Sequence, residues 1–374
     1  MKRKLALLAL ASVLTLVTIP TIGTASTSEL SASQFGQLKK NALTAAEKYV
    51  ATQSNYGSYK PWSSVKISYQ DPLFDFDDNL TSFIFNIKNS SGDAGYLIVS
   101  ADETPVVLEA AREGNGPYTQ NSKLEKEIYV GPTQYYVKAD ESTYFDIRKK
   151  TNVSKSSFKS KGSLNGKVKI PSTLLQNDTQ LSSDVSQGAV SPQTVVSYSS
   201  KTLSNVPDFS WRDGCSPTSF SNIIWYYRYS QGYTNLLAST TTSTTLIDVL
   251  ASSSYMSTDI ANGGGTGWDN RVNGMKKFWS DRGYTVSVTR NSPSFSAHKT
   301  EINNNRPDII NVVGDATYGA HDMTGVGFEE YQESTENFKW YQYVIVRDTW
   351  DSTPTSVYIY LPNLAWNETV KVQP

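Results

Sequence analysis

Cysteine and histidine are nearly absent from this sequence. One cysteine, Cys215, and two histidines, His298 and His321, occur in 374 residues. A single thiol cannot form an internal disulfide, so no disulfide framework holds the fold. One Cys and two distant His also cannot supply a zinc site, and Gly263-Gly264-Gly265 lacks the Lys-Ser/Thr that completes a phosphate loop. The residues therefore imply no metal or other cofactor. The formal net charge is only -1, which gives no electrostatic reason to expect nucleic acid or anionic lipid as partner. Past the first twenty residues there is no apolar run long enough to span a bilayer.

What is present begins with Lys2, Arg3 and Lys4, an apolar stretch from Leu5 to Pro20, and Gly23-Thr24-Ala25. That tripartite pattern predicts a signal peptide over 1–25 and export to the cell exterior or cell wall, with no membrane contact after its removal. A membrane anchor is the alternative, weakened by Ser, Thr and Pro within the run. In an exported chain the odd cysteine is paired with another molecule or kept free and reactive.

The rest divides into three. Residues 26–148 predict a small α+β domain. Phe35, Leu38, Ala42, Ala45, Ala46 and Tyr49 recur at helical spacing from Ser33 to Ala51, with Ser31 or Ser33 as cap. Ser82–Ile87 and Gly95–Ser100 flank Asn89-Ser90-Ser91-Gly92 and read as a hairpin, with a further strand pair between Val106 and Phe145. Residues 149–204 are rich in Ser, Lys, Thr, Gln and Asn and predict a mobile linker open to proteolysis, or a plain spacer. Residues 205–374 predict helices first and antiparallel strands afterwards. A helix starts at Gly214-Cys215-Ser216-Pro217, with Ser216 as cap and Pro217 at the first position. Helices over 269–283 and 296–304 follow, then strands over 309–313, 323–328, 341–348 and 356–361.

Chemistry concentrates on few residues. Cys215 at a helix start meets orphan N–H groups and the positive end of the dipole, which favour a thiolate and an oxyanion. Free cysteine is otherwise commonly a core residue. His321, between small residues and a strand carrying Gly325 and Gly327, is the candidate base; a structural hydrogen bond in a turn is its plainer role. His298 lies in a polar stretch that looks solvated. Asp348, at the end of the strand Tyr343–Arg347, is the candidate that orients the imidazole. Its strand neighbours that of His321 if the two form a hairpin through 330–339. Asp322 and Asp351 are weaker candidates.

Val206-Pro207, Trp211, Gly214-Cys215-Ser216-Pro217-Thr218-Ser219, His321 before Gly325-Val326-Gly327, and Asp348-Thr349-Trp350 together resemble papain-like cysteine peptidases. The nearest group is similar to the bacteriocin-processing (double-glycine) peptidase-like branch. The resemblance covers the second domain. It implies a Cys215 nucleophile, a His321 base, an orienting Asp348 where papain uses asparagine, and a peptide or protein as substrate. The line Gly95–Asp102 is similar to prodomains of streptopain-like peptidases, which implies a precursor whose own prodomain acts as an intramolecular inhibitor. The glutamine that usually precedes the cysteine is absent. Trp211 stands in its place, and its indole N–H with the Cys215 amide is the candidate oxyanion hole; a packed aromatic is the alternative. The same three residue types in this order also serve cell-wall peptide amidases and transamidases. A secreted binding protein with an inert cysteine is the non-enzymatic alternative.

Overall fold

The computed structural model describes residues 28–119, 126–157, 168–176, 178, 180–186, 194–313 and 320–374. The predicted leader over 1–25 lies outside them, as do 158–167 and 187–193 of the predicted linker.

Helix α1 (Ala32–Asn55) starts at a capping box: the Ser31 side chain accepts from the Gln34 N–H, and the Gln34 side chain accepts from the Ser31 N–H. Its buried stripe of Phe35, Ala42, Leu43, Ala46, Tyr49 and Val50 lies on an antiparallel sheet. That sheet begins with β1 (Ser64–Phe74), β2 (Leu80–Asn89), β3 (Gly92–Ser100) and β4 (Val107–Ala111). The β2–β3 turn falls where the Asn/Ser/Gly cluster predicts it. The Asn89 carboxamide accepts from the Ser91 N–H, and Gly92 takes φ 117°. β5 (Glu127–Tyr129), β6 (Tyr135–Lys138) and β7 (Thr143–Asp146) extend the sheet beyond β1.

The predicted linker contains strands among its described residues. β8 (Thr151–Ser154) pairs with β7, β9 (Ser182–Ser186) pairs with β1, and β10 (Val195–Thr202) pairs with a long strand of the second half. Sheet edges offer unpaired N–H and C=O groups that any backbone can satisfy, so a Ser-rich segment needs few apolar anchors to dock. Here Val185 and Val195 are those anchors.

The second half opens with α2 (Cys215–Ser230), α3 (Ser243–Ala251), α4 (Trp268–Ser280) and α5 (Phe295–Asn303). Strand β11 (Ser287–Asn291) lies between α4 and α5, and β12 (Asp308–Val313), β13 (Ala320–Glu333), β14 (Lys339–Arg347), β15 (Val357–Tyr360) and β16 (Trp366–Gln373) follow. α3, β11 and β16 have no counterpart among the predicted elements. The sheet order is β11-β16-β12-β13-β14-β15-β4-β3-β2-β1-β5-β6-β7-β8. The two halves therefore share one sheet, joined where Val357 pairs with Ala111 and Ile359 with Glu109. The result is a mixed α+β fold, with α2 packed on β13.

Two sequence details change meaning. Ser216 does not cap α2, because the helix begins one residue earlier and Gly214 is its N-cap. His298 is not solvated but fully buried. Its Nδ1 faces both Asp308 carboxylate oxygens at 2.9 and 3.0 Å, and its Nε2 faces the Gly327 carbonyl at 2.8 Å. The Gly327 carbonyl can only accept, so Nε2 carries a proton, and the Asp308 carboxyl favours a second one on Nδ1. Burial works against that charge, but Asp308 and the Gly327 carbonyl outweigh it and the pKa of His298 is raised. Gly325 leaves the room this needs: a Cβ there would sit 2.3 Å from Asp308 Oδ1 and 2.9 Å from His298 Cε1. His298 is a buried structural partner of Asp308, not a solvated side chain.

Candidate active site

Cys215 is the first residue of α2, so it stands where the helix leaves its N–H groups without intrahelical acceptors. The turn that delivers it depends on two glycines in contact. Gly214 has φ 149° and Gly264 has φ 79°, and a Cβ on Gly214 would lie 2.4 Å from the Gly264 carbonyl oxygen. The Gly263–Gly265 loop is thus a packing partner of the cysteine turn. Thr218 Oγ1 closes that turn by donating to the Gly214 carbonyl at 2.8 Å.

Three side chains of α2 fasten it to β13 beside His321. Ser216 Oγ donates to Asp322 Oδ2 at 2.6 Å, and Ser219 Oγ to the Asp322 carbonyl at 2.7 Å. Asn222 Nδ2 donates to Thr324 Oγ1 at 3.1 Å. Asp322, a weak candidate in the sequence, is the hub. Its other oxygen accepts from Arg271 on α4 at 2.5 Å and from Asn311 on β12 at 2.7 Å. Arg271 also donates to Glu368 on β16 at 2.8 Å. A residue paired with two carboxylates and buried among them has no charge to spare for a ligand. Its task here is to hold the strand that carries His321 against the helix that carries Cys215.

Cys215 and His321 line one cleft of about 260 Å³. Trp211, Trp268 and Trp350 share its walls with Gly263–Gly265, and Arg148 and Lys149 of the first half complete them. His321 is buried, and its Nε2 lies 3.0 Å from the main-chain oxygen of Asp348. A carbonyl can only accept, so Nε2 carries a proton. In the neutral ring Nδ1 then holds the lone pair. Burial pushes the imidazole down to about 4, with the Arg148 and Lys149 charges adding to the effect against the Asp348 hydrogen bond. The ring is neutral at pH 7. Burial likewise pushes the Cys215 thiol up to about 11, and the Asp322 carboxylate adds to it while the Asp322 N–H opposes. With its pKa up at about 11, the resting sulfur is a thiol.

Asp348 reaches His321 through its carbonyl, not through the carboxylate that the sequence suggests. The carboxylate accepts from Thr353 Oγ1 at 2.8 and 2.9 Å and from the Trp350 N–H at 3.1 Å. It shapes the turn that places the carbonyl. Burial pushes it up to about 7, opposed by those hydrogen bonds and raised further by Glu109 of the first half. Asp208 is a second acid here that the sequence did not single out. Its Oδ1 accepts from the Thr349 N–H at 3.2 Å, and its pKa is raised by burial and by Asp348. Trp350 lies parallel to the His321 ring, centroids 4.9 Å apart and planes at 16°. Trp211 is parallel to Trp350 at 6.2 Å, and its main-chain N–H donates to the Thr349 carbonyl at 2.7 Å. Trp211 is 37 % exposed, so it lies at the rim of the cleft. Asp351 is exposed and bonded to Ser210.

The fold and cleft define a mixed α+β protein with a half-buried thiol and a neutral imidazole opening on one cavity. Residues 196–373 match the model of the Peptidase_C39 like family. The matched stretch contains Cys215, His321 and Asp348, and it supports a cysteine peptidase family for this part of the chain. No curated protein matches the sequence.

Proposed function

We propose that the protein is an exported cysteine endopeptidase in which Cys215 is the nucleophile and His321 the base. The observation that carries this reading is the shared cleft, with a helix-start thiol on one side and an imidazole of fixed tautomer on the other. The proposed steps are these. Cys215 Sγ attacks the peptide carbonyl carbon while His321 Nδ1 takes the thiol proton, so charge develops only as the bond forms. The carbonyl electron pair moves onto oxygen, where the Cys215 N–H and the Trp211 indole N–H are the assigned donors. Collapse of that intermediate breaks the C–N bond, and the leaving amine takes the proton from Nδ1. Water then attacks the thioester, gives its proton to Nδ1, and the thiol is restored. Asp348 holds the ring through its carbonyl. The basic, apolar and small-residue pattern of the first 25 residues supports export with leader removal.

Secreted wild-type protein and the Cys215→Ala variant, compared on casein, test the assignment. The variant is expected to lose turnover by about 10⁴-fold or more, as nucleophile deletions do. Retained cleavage by Cys215→Ala would reject it.

A further inference from the structure

We propose that Arg148, from the first half of the chain, is a positioning residue for the general base, so that the first half stays a working wall of the cleft. This rests on the peptidase reading of the cleft.

The Arg148 side chain is 1 % exposed and held by three hydrogen bonds to two residues. Nε donates to Asp146 Oδ1 at 3.0 Å, and Nη2 donates to Asp146 Oδ2 and to the Tyr136 hydroxyl, each at 2.7 Å. A guanidinium fixed in that way is a rigid plate. Its Cζ lies 5.5 Å from the Trp350 ring, and Trp350 lies parallel to His321. Guanidinium, indole and imidazole thus form a relay in which first-half residues set the position of the ring that moves the proton. The remaining charged or titratable groups around His321 are Lys149, Asp322, the Cys215 thiol and the Asp348 carboxyl. Arg271 lines the same cleft but is paired with Asp322 and Glu368. Burial is the main force against protonation of the ring, and the two first-half cations add to it.

The first half is also built to stay. The β4–β15 ladder runs through the junction. Across it the Tyr343 hydroxyl donates to the Val107 carbonyl at 3.1 Å, and Asn363 Nδ2 to the Tyr129 hydroxyl at 3.1 Å. Arg112 of the first half donates to the fully buried Glu329 of β13. Separation would expose a sheet edge and strand that carboxylate. On this proposal the first half is not an inhibitory prodomain to be discarded.

Arg148→Ala and Arg148→Lys test it on a peptide substrate, through the pH profile of kcat/KM and a thermal melt. Arg148→Ala is expected to lower kcat by about tenfold with KM little changed, and to move the acid limb up by about one pH unit or more. Arg148→Lys restores the limb in part. A folded Arg148→Ala with the wild-type limb and kcat overturns the proposal. Should Arg148→Ala fail to fold, a site-specific protease sequence inserted between Ser157 and Val168 in the full chain gives a second arm. The cut halves are expected to co-elute and keep activity. A second half that separates and keeps wild-type kcat and acid limb also overturns it. Turnover by Cys215→Ala would instead sink the peptidase reading, so the two failures are distinguishable.

Discussion

His321→Gln should lower kcat/KM by about 10⁴- to 10⁶-fold while the protein still folds. Glutamine can keep the donor to the Asp348 carbonyl, now made by Nε2 at 3.0 Å, so the strand end is not left with an unmet acceptor. It cannot take a proton from Cys215, and the thiol, pushed up to about 11 by burial, does not ionise by itself at neutral pH. Hence the loss is chemical. The wild-type pH profile should carry the same signature. An imidazole pushed down to about 4 remains a base well below the ordinary histidine range, so activity should persist through pH 6 and fall only as the pH approaches that value. The sign is set by which form works: protonation removes the lone pair, and burial together with two first-half cations delays it. An acid limb of kcat/KM at pH 6.5 or above would show that the ring is not held as described.

Glu329→Ala is the substitution with the largest expected effect on stability, a loss of about 3–5 kcal/mol in urea or thermal unfolding. Glu329 is fully buried and accepts from Arg112, from the Tyr49 hydroxyl at 3.3 Å and from the Tyr198 hydroxyl at 3.0 Å. These donors come from three separate stretches: Tyr49 from α1, Arg112 just past β4, and Tyr198 from β10. Removing the carboxylate leaves Arg112 in an interior where its remaining company is aromatic, with Cζ 4.1 Å from the Tyr358 ring. Such a charge is costly once unpaired. The double variant Arg112→Met with Glu329→Leu should recover most of the loss, because it removes both charges and keeps apolar volume. A Glu329→Ala protein as stable as wild type would mean that this network does not join the halves.

Local chemistry is legible in the sequence, whereas contacts between distant segments are not. The Ser31/Gln34 start of α1 and the Asn89–Gly92 turn involve residues adjacent in sequence, where capping and turn chemistry are decided. The β13–β14 hairpin appears as foreseen, with Glu333 opposite Lys339 at its end. Cys215 stood out because it is alone and precedes a helical pattern. His298 misled, since its polar neighbours say nothing of an Asp308 on the next strand or of a missing side chain at Gly325. Asp348 was legible as a member of the site but not in its manner of contact, because Thr353 and the Trp350 N–H claim the carboxylate only once the turn forms. Arg148 carries no motif. Its place beside Trp350 is made by a sheet that joins residues far apart in the chain.

Intact-protein mass spectrometry of an acid-quenched reaction with an activated peptide ester tests the central claim most directly. The account predicts an added acyl mass on wild-type protein that maps to Cys215, is released by hydroxylamine, and is missing from Cys215→Ala. Turnover of the ester without any adduct at Cys215, and undiminished in Cys215→Ala, would contradict it.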